Sequence, residues 1–315
     1  MNNFKKIGLS ALAGSLAAVS VQAADLSVTG GASIGFFGEE AVVTGNGWSM
    51  NDGVTFSASE EMDNGWNVSL NFLLDSGDSK AKAGLDNRSL VIDMGDNGTF
   101  TFSGDGGDGV LSAMDDKTPT AYEESWDLVT GADILPSGPN SNNMMHYSKD
   151  MSTMIDGLTA SVAYVPSGTG QVESSSDYGI TYTGIDGLTV GVAGGEINSA
   201  AATQDVTNMY ATYAMDAFTV GIQASESDSE TASSDKDFSA MGISYAVSED
   251  LSVSINTSTI DFESATLTDQ EATGLSVSYT MGSMTLKAAH NTVDNVAGAS
   301  AADRSAYDLS LAFAF

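Results

Sequence analysis

Tyr307-Asp308-Leu309-Ser310-Leu311-Ala312-Phe313-Ala314-Phe315 places a large apolar side chain at every second position and stops on an aromatic. Strict alternation means a strand with one apolar face. In a soluble protein that face looks into a core. In a membrane-spanning barrel it looks into lipid, and the opposite face looks into a polar lumen. The rest of the chain decides between the two.

The same alternation recurs upstream. Trp66, Val68, Leu70, Phe72 and Leu74 alternate with polar residues, as do Leu158, Ala160, Val162 and Tyr164, and Phe218, Val220, Ile222 and Ala224. Leu251, Val253 and Ile255, and Leu275, Val277 and Tyr279, repeat the pattern. Short turn signals separate these runs: Asp63-Asn64-Gly65, Asp96-Asn97-Gly98, Asp156-Gly157, Asp186-Gly187, Asp216-Ala217, Glu249-Asp250 and Gly282-Ser283. Asn-Gly and Asp-Gly supply the positive φ that tight hairpins need. The turns lie about 30 to 33 residues apart, except that the interval from Gly98 to Asp156 is roughly double. Each interval holds two strands of bilayer-crossing length and one longer loop. Seven turns and eight long polar segments make fifteen connections, which predicts an all-β antiparallel transmembrane barrel of 16 strands.

Tyr147, Tyr182, Tyr213, Tyr245 and Tyr279 each fall shortly before a turn, on the apolar parity of their strands. With Trp66 and Phe218 just after turns, they predict an aromatic girdle at one membrane interface.

Lys5 and Lys6, the apolar stretch Ile7 to Val21 and the small-x-small site Val21-Gln22-Ala23 predict a secretory signal over residues 1–23. The barrel domain then spans 24–315. A transmembrane helix needs about 20 apolar residues, and no segment of this chain qualifies. Residues 1–23 hold two of the 10 basic residues and none of the 42 acidic ones, which leaves a formal charge of −34 beyond them. Such acidity argues against nucleic acid as a partner and favours cations in any enclosed space. The absence of cysteine excludes disulfides, thiolate metal sites and thiol nucleophiles.

At this point the chain resembles a general Gram-negative outer-membrane porin, especially the acidic alphaproteobacterial type. The likeness covers the whole length: a signal segment, short turns alternating with long loops, a terminal Phe and one outsized loop after the fifth strand. The string Ile92-Asp93-Met94-Gly95-Asp96, leading to Phe102-Ser103-Gly104-Asp105, is similar to the family's approach to its third loop. The loop-three signature Pro-Glu-Phe-Gly of enterobacterial members is absent. The resemblance implies a diffusion channel for ions and small hydrophilic solutes in the outer membrane, assembled as a homotrimer. It implies that the third loop, Gly104 to Asn142, folds inward and narrows the bore. It also implies that Phe315 is the mark read by the barrel-assembly machinery.

The third loop carries Asp105, Asp108, Asp115, Asp116, Glu123, Glu124, Asp127 and Asp133 against the single base Lys117. On the inward loop these would form an acidic constriction. In the family an arginine cluster faces that loop, and here it is poorly represented. Arg88, near a rim, and Asp93, His146, Lys287 and Asp308, by parity, are the expected lumen-wall residues. The expectation is therefore a cation-preferring channel whose selectivity fades toward pH 4, where ordinary Asp and Glu protonate. Asp105 and Asp108, in Gly104-Asp105-Gly106-Gly107-Asp108-Gly109, could offer hard oxygen ligands to Ca²⁺, but without EF-hand spacing; no other cofactor is implied. His146 and His290 belong to no hydrolase constellation that spacing can identify, so no enzyme is expected. The alternatives are a substrate-specific porin and, in a different class, a secreted acidic β-rich adhesin. An adhesin needs neither the terminal Phe nor lipid-facing alternation in every segment.

Overall fold

A computed structural model describes residues 25–40, 47–75, 84–134, 138, 140–167, 173–198 and 202–315. The expected signal segment lies outside the described residues. Among the described residues eighteen strands form, two of them only two residues long. The first five are β1 (Asp25–Glu39), β2 (Trp48–Glu61), β3 (Asn67–Asp75), β4 (Gly84–Asp93) and β5 (Thr99–Asp105). The short pair β6 (Gly107–Asp108) and β7 (Asn140–Ser141) ties together the base of the long loop. The wall resumes with β8 (Met144–Asp150), β9 (Leu158–Val165), β10 (Ser175–Ile185), β11 (Leu188–Asn198), β12 (Thr203–Met215) and β13 (Phe218–Ser229). It finishes with β14 (Lys236–Ala246), β15 (Leu251–Phe262), β16 (Gln270–Met281), β17 (Met284–Asp294) and β18 (Arg304–Ala314).

Sixteen of these close into one antiparallel barrel, each beside its neighbour in sequence, with β1 sealing against β18. The seal runs from Gly31 opposite Ala314 to Glu39 opposite Ala306. Phe315 extends it: its N–H donates to the Gly30 carbonyl (2.9 Å), and its carbonyl accepts from the Gly30 N–H (2.7 Å). Closure leaves no unpaired edge, which is what a sheet crossing lipid requires. Among the described residues no helix is long and apolar enough to cross a membrane.

Register fixes the two faces. On β13, Val220 and Ile222 are 43% and 59% exposed, whereas Gly221 between them and Gln223 and Ser225 beyond them are buried. The outer face is thus apolar and bare, while the inner face is polar and covered. All seven short turns form at one end. Gly157, Gly187 and Gly282 take positive φ there (72°, 74° and 63°), and Asp216 does so without being glycine (53°).

The aromatic series gathers at that end. Tyr182, Tyr213, Tyr245 and Tyr279 stand opposite Leu158, Leu188, Phe218 and Leu251 on adjacent strands. Phe218 and Tyr245 stack at 4.5 Å between ring centroids. Tyr147 donates its hydroxyl to the Asn97 carbonyl in the neighbouring turn. Trp66 lies at the end of the same outward row as Val68 and Leu70 on β3.

Candidate functional site

What covers the inner face is the segment between β6 and β7. It leaves β5 at the loop end of the barrel and runs along the inside of the wall. Val110, Leu111 and Met114 pack on Ala163, Val165, Ala193, Val206 and Tyr210 of β9, β11 and β12. The backbone then crosses a polar belt. The Lys117 N–H donates to Gln223 Oε1 (2.9 Å), the Ala121 N–H to Ser254 Oγ (2.9 Å) and the Tyr122 N–H to Ser276 Oγ (3.1 Å). Asn208 and Asn291 donate their side-chain amides to the Met114 and Glu124 carbonyls. Trp126 turns back and meets Phe238 edge-on at 5.1 Å, above Ile260. Leu128 and Val129 finally pack on Ala272, Ala289, Val293 and Ala306.

Small residues on the wall make this close approach possible. Gly221, Gly242 and Gly274 lie on the inner face under residues 118–125. A Cβ on Gly242 would sit 2.9 Å from the Pro119 carbonyl, and one on Gly274 2.8 Å from the Ser125 Cα. The segment therefore lines the wall from β9 to β18. The inner face of β1 to β5 stays free of it, apart from Phe37 and Glu39 at the loop end of β1.

The acidic residues of the loop divide into groups. Asp105, at the end of β5, is held by Arg88 (2.9 Å). Asp133 is held by Lys236 (2.6 Å). Glu124 is buried beneath the loop. Asp108 is exposed at the base of the loop, on the short strand β6. Asp116 and Asp127 are exposed and Asp115 and Glu123 half-buried, on the stretch that crosses the polar belt. Asp116 opens to the bore but is enclosed by loop and wall on its other sides, and this partial desolvation, reinforced by the Asp115 carboxylate, pushes it up to about 6. Burial is the main cause for Glu123 and Glu124 as well, with Asp127 adding repulsion and a shared hydrogen bond, so both lie above the usual carboxylate range. Asp115 is also raised, chiefly by burial.

Lys287 and Asp308 face inward, as their parity required. The Lys287 ammonium sits 4.9 Å from the centre of the Tyr122 ring, so the wall meets the loop there through a cation–π contact. His146 faces inward in one cross-strand row with Ala163 and Asp177. Asp93 has inward parity at the short-turn end, where its carboxylate accepts the Gly95 N–H (2.9 Å).

Arg88 is a correction. It pairs with Phe72, beside the pair Leu70 and Leu90, and so belongs to the outward face rather than the lumen wall. Irregular register at Leu73/Leu74 and at Arg88/Ser89 places it beside Asp105. Counting back in twos from Ile92 and Leu90 would have found this. Asp105 is thereby spent on an ion pair, which removes it from the constriction and weakens it as a Ca²⁺ ligand. Among the described residues no three His, Asp or Glu side chains converge as a metal site needs. The inner face of β1 to β5 is built mainly from Ser, Thr and Asn and, among the described residues, presents no lysine or arginine.

The barrel belongs to a known class. The Gram-negative porin family profile matches residues 8–315, and the chain belongs to that family. It is an outer-membrane channel protein. The closed barrel and the family together leave no place for the adhesin alternative. Solved structures agree at the level of fold. A trimer form of OmpT from Vibrio cholerae is 12% identical, with a TM-score of 0.71, over 93% of this chain and 100% of that one. A loop-deletion mutant of OmpT is 13% identical with a TM-score of 0.70, over 93% and 100%. A variant of the Rh. blastica porin is 15% identical with a TM-score of 0.66, over 92% and 100%. No curated protein is similar enough to match.

Proposed function

We propose that the chain forms a water-filled diffusion channel that prefers small hydrophilic cations, with its bore narrowed by residues 109–134. One observation carries this reading. Asp115, Asp116, Glu123 and Asp127 lie on a loop seated against one side of the lumen, and the wall across from them carries hydroxyls, amides and a few further carboxylates, with no base among the described residues. In a narrow aqueous space such carboxylates lower the energy of a cation and raise that of an anion. A field directed across the bore needs cations on the facing wall, and none stands there among the described residues. Lys287, on the loop's own side, partly offsets the carboxylates. The same reading makes the working unit a homotrimer, the form in which Vibrio cholerae OmpT has been solved, with Phe315 as the mark for assembly. Two variants test it. Replacing residues 113–127 by a short Gly-Ser link should raise single-channel conductance; unchanged conductance would place the loop outside the current path. The quadruple variant D115N/D116N/E123Q/D127N should keep its conductance level and lose most of its ion preference.

A further inference from the structure

The returning limb of the loop is held at the rim by side chains from both sides of the barrel's seam. Its apolar contacts are non-directional and fix no register. At Thr130 the backbone is gripped on both sides: its N–H donates to Glu39 Oε1 (3.2 Å), and its carbonyl accepts from an Arg304 guanidinium nitrogen (2.9 Å). Glu39 is the last residue of β1 and Arg304 the first of β18, so the grip comes from both sides of the seam that closes the barrel. Their own charged groups stand 3.6 Å apart, and the Glu39 side chain is fully buried. Its second oxygen, Oε2, has no partner. A carboxylate in that position is costly unless its ionic contacts persist.

Three residues further on, the limb is gripped again. The Gln270 amide accepts the Asp133 N–H (2.8 Å) and donates to the Asp133 carbonyl (2.9 Å). The Asp133 carboxylate takes Lys236 at 2.6 Å. Lys236 opens β14 and Gln270 opens β16, so all four gripping residues stand at the loop end of their strands.

We propose that Glu39, Arg304, Lys236 and Gln270 are positioning residues that form a two-point latch. They pin the returning limb at Thr130 and Asp133 to the rim and seam of the barrel, and so hold the constriction at one width. This rests on the reading that the loop narrows the bore. The competing account is that Glu39 and Arg304 only staple β1 to β18, and that the loop is held by its apolar contacts and the polar belt.

The chain has no cysteine, so a single V129C substitution gives a clean reporter. Val129 is 3% exposed in the seated loop. In the V129C background, R304Q combined with K236Q should raise the rate of thiol labelling at least tenfold, and single-channel records should flicker among several conductance levels. R304K in place of R304Q should return both toward the parent. The swapped pair D133K/K236E should protect the thiol better than either single change does. Heat-modifiable migration on a detergent gel reports barrel closure separately. Slow labelling and a steady current in R304Q/K236Q would overturn the latch. So would a barrel that fails to close while the thiol stays protected, which is the staple's signature. If the loop-replacement variant described above leaves conductance unchanged, the constriction reading fails, and the labelling rates still decide whether the latch exists.

Discussion

At Asp116, Glu123 and Glu124 the charge that a passing ion meets depends on burial more than on composition. All three hold their protons more tightly than free carboxylates, Asp116 titrating at about 6. Counting every acid as ionised at pH 7 therefore overstates the loop's charge. Cation preference should already decline as pH falls through about 6, well above the pH 4 that ordinary values imply, and should strengthen on the alkaline side. The seated loop retains protons that an unseated one would release. Its seat is accordingly stabilised by acid and weakened as pH rises. Reversal potentials measured from pH 5 to pH 9 check the first statement, and labelling of a buried reporter thiol over the same range checks the second. A preference that is flat down to pH 4.5 would contradict the role given to these residues. Lys287 supplies a prediction of opposite sign. A unit charge ~8 Å from an ion in water is worth about 0.5 kcal/mol, of opposite sign for a cation and an anion, so Lys287→Gln should raise the cation-to-anion permeability ratio about fivefold. An unchanged ratio would mean that the Tyr122 ring and its surroundings screen the ammonium from the bore. Phe315 pairs across the seam with Gly30; its deletion should slow appearance of the heat-modifiable barrel in the outer membrane, and normal assembly would count against its role as a mark.

The loop is the element on which function turns, and the wall is cut to receive it. Trp126→Ala removes the edge-on contact to Phe238. A loss of about 3–5 kcal/mol is typical for truncating a buried aromatic, enough to leave the limb unseated for part of the time, visible as added current noise. Gly242→Val pushes a side chain against the Pro119 backbone and should displace the loop's middle, raising conductance; a parent-like current would mean that the backbone yields elsewhere. The outsized loop and its acidic content were legible in the sequence, because a doubled turn interval and a run of carboxylates need no tertiary information. Its seat was harder to read. Val165, Val206, Phe238, Ile260 and Val293 are inward-facing apolar residues at the loop ends of their strands, where polar residues were expected. The signal lay in apolar side chains on both parities, as at Tyr164-Val165. What they bury could not be read, because the partner lies far away in sequence. For the same reason Glu124, Asp105 and Asp133 looked equivalent to Asp116 until the wall residues that cover or pair with them were placed.

On the scale of the whole barrel, period-two alternation and turn spacing were enough for strand number and for the row of aromatics at the turn end, since both follow from local chain geometry. Cross-strand neighbours were not legible, and they reveal a further charge pattern. On the outward face near the loop end, Glu196 stands opposite Asp205, Asp205 opposite Asp228, Glu226 opposite Asp237, Asp237 opposite Asp261 and Glu271 opposite Asp294. Like charges directly opposite each other destabilise a sheet. Salt screens them, with a Debye length of about 10 Å at 0.1 M and about 3 Å at 1 M. The folded barrel should therefore melt at a higher temperature in 1 M than in 0.1 M NaCl, and alanine at Asp237, flanked by two acids, should shrink that difference. A melting temperature indifferent to salt would show that the belt is already neutralised. The central claim is that this barrel conducts cations in preference to anions because the carboxylates of one wall-bound loop face a wall that presents no base among the described residues. The most direct measurement is the zero-current potential of the purified channel in a planar bilayer at pH 7, between 0.1 M and 1 M KCl. The account predicts the sign set by K⁺ moving down its gradient, shrinking toward zero in D115N/D116N/E123Q/D127N. A potential of the opposite sign, set by Cl⁻, would contradict it.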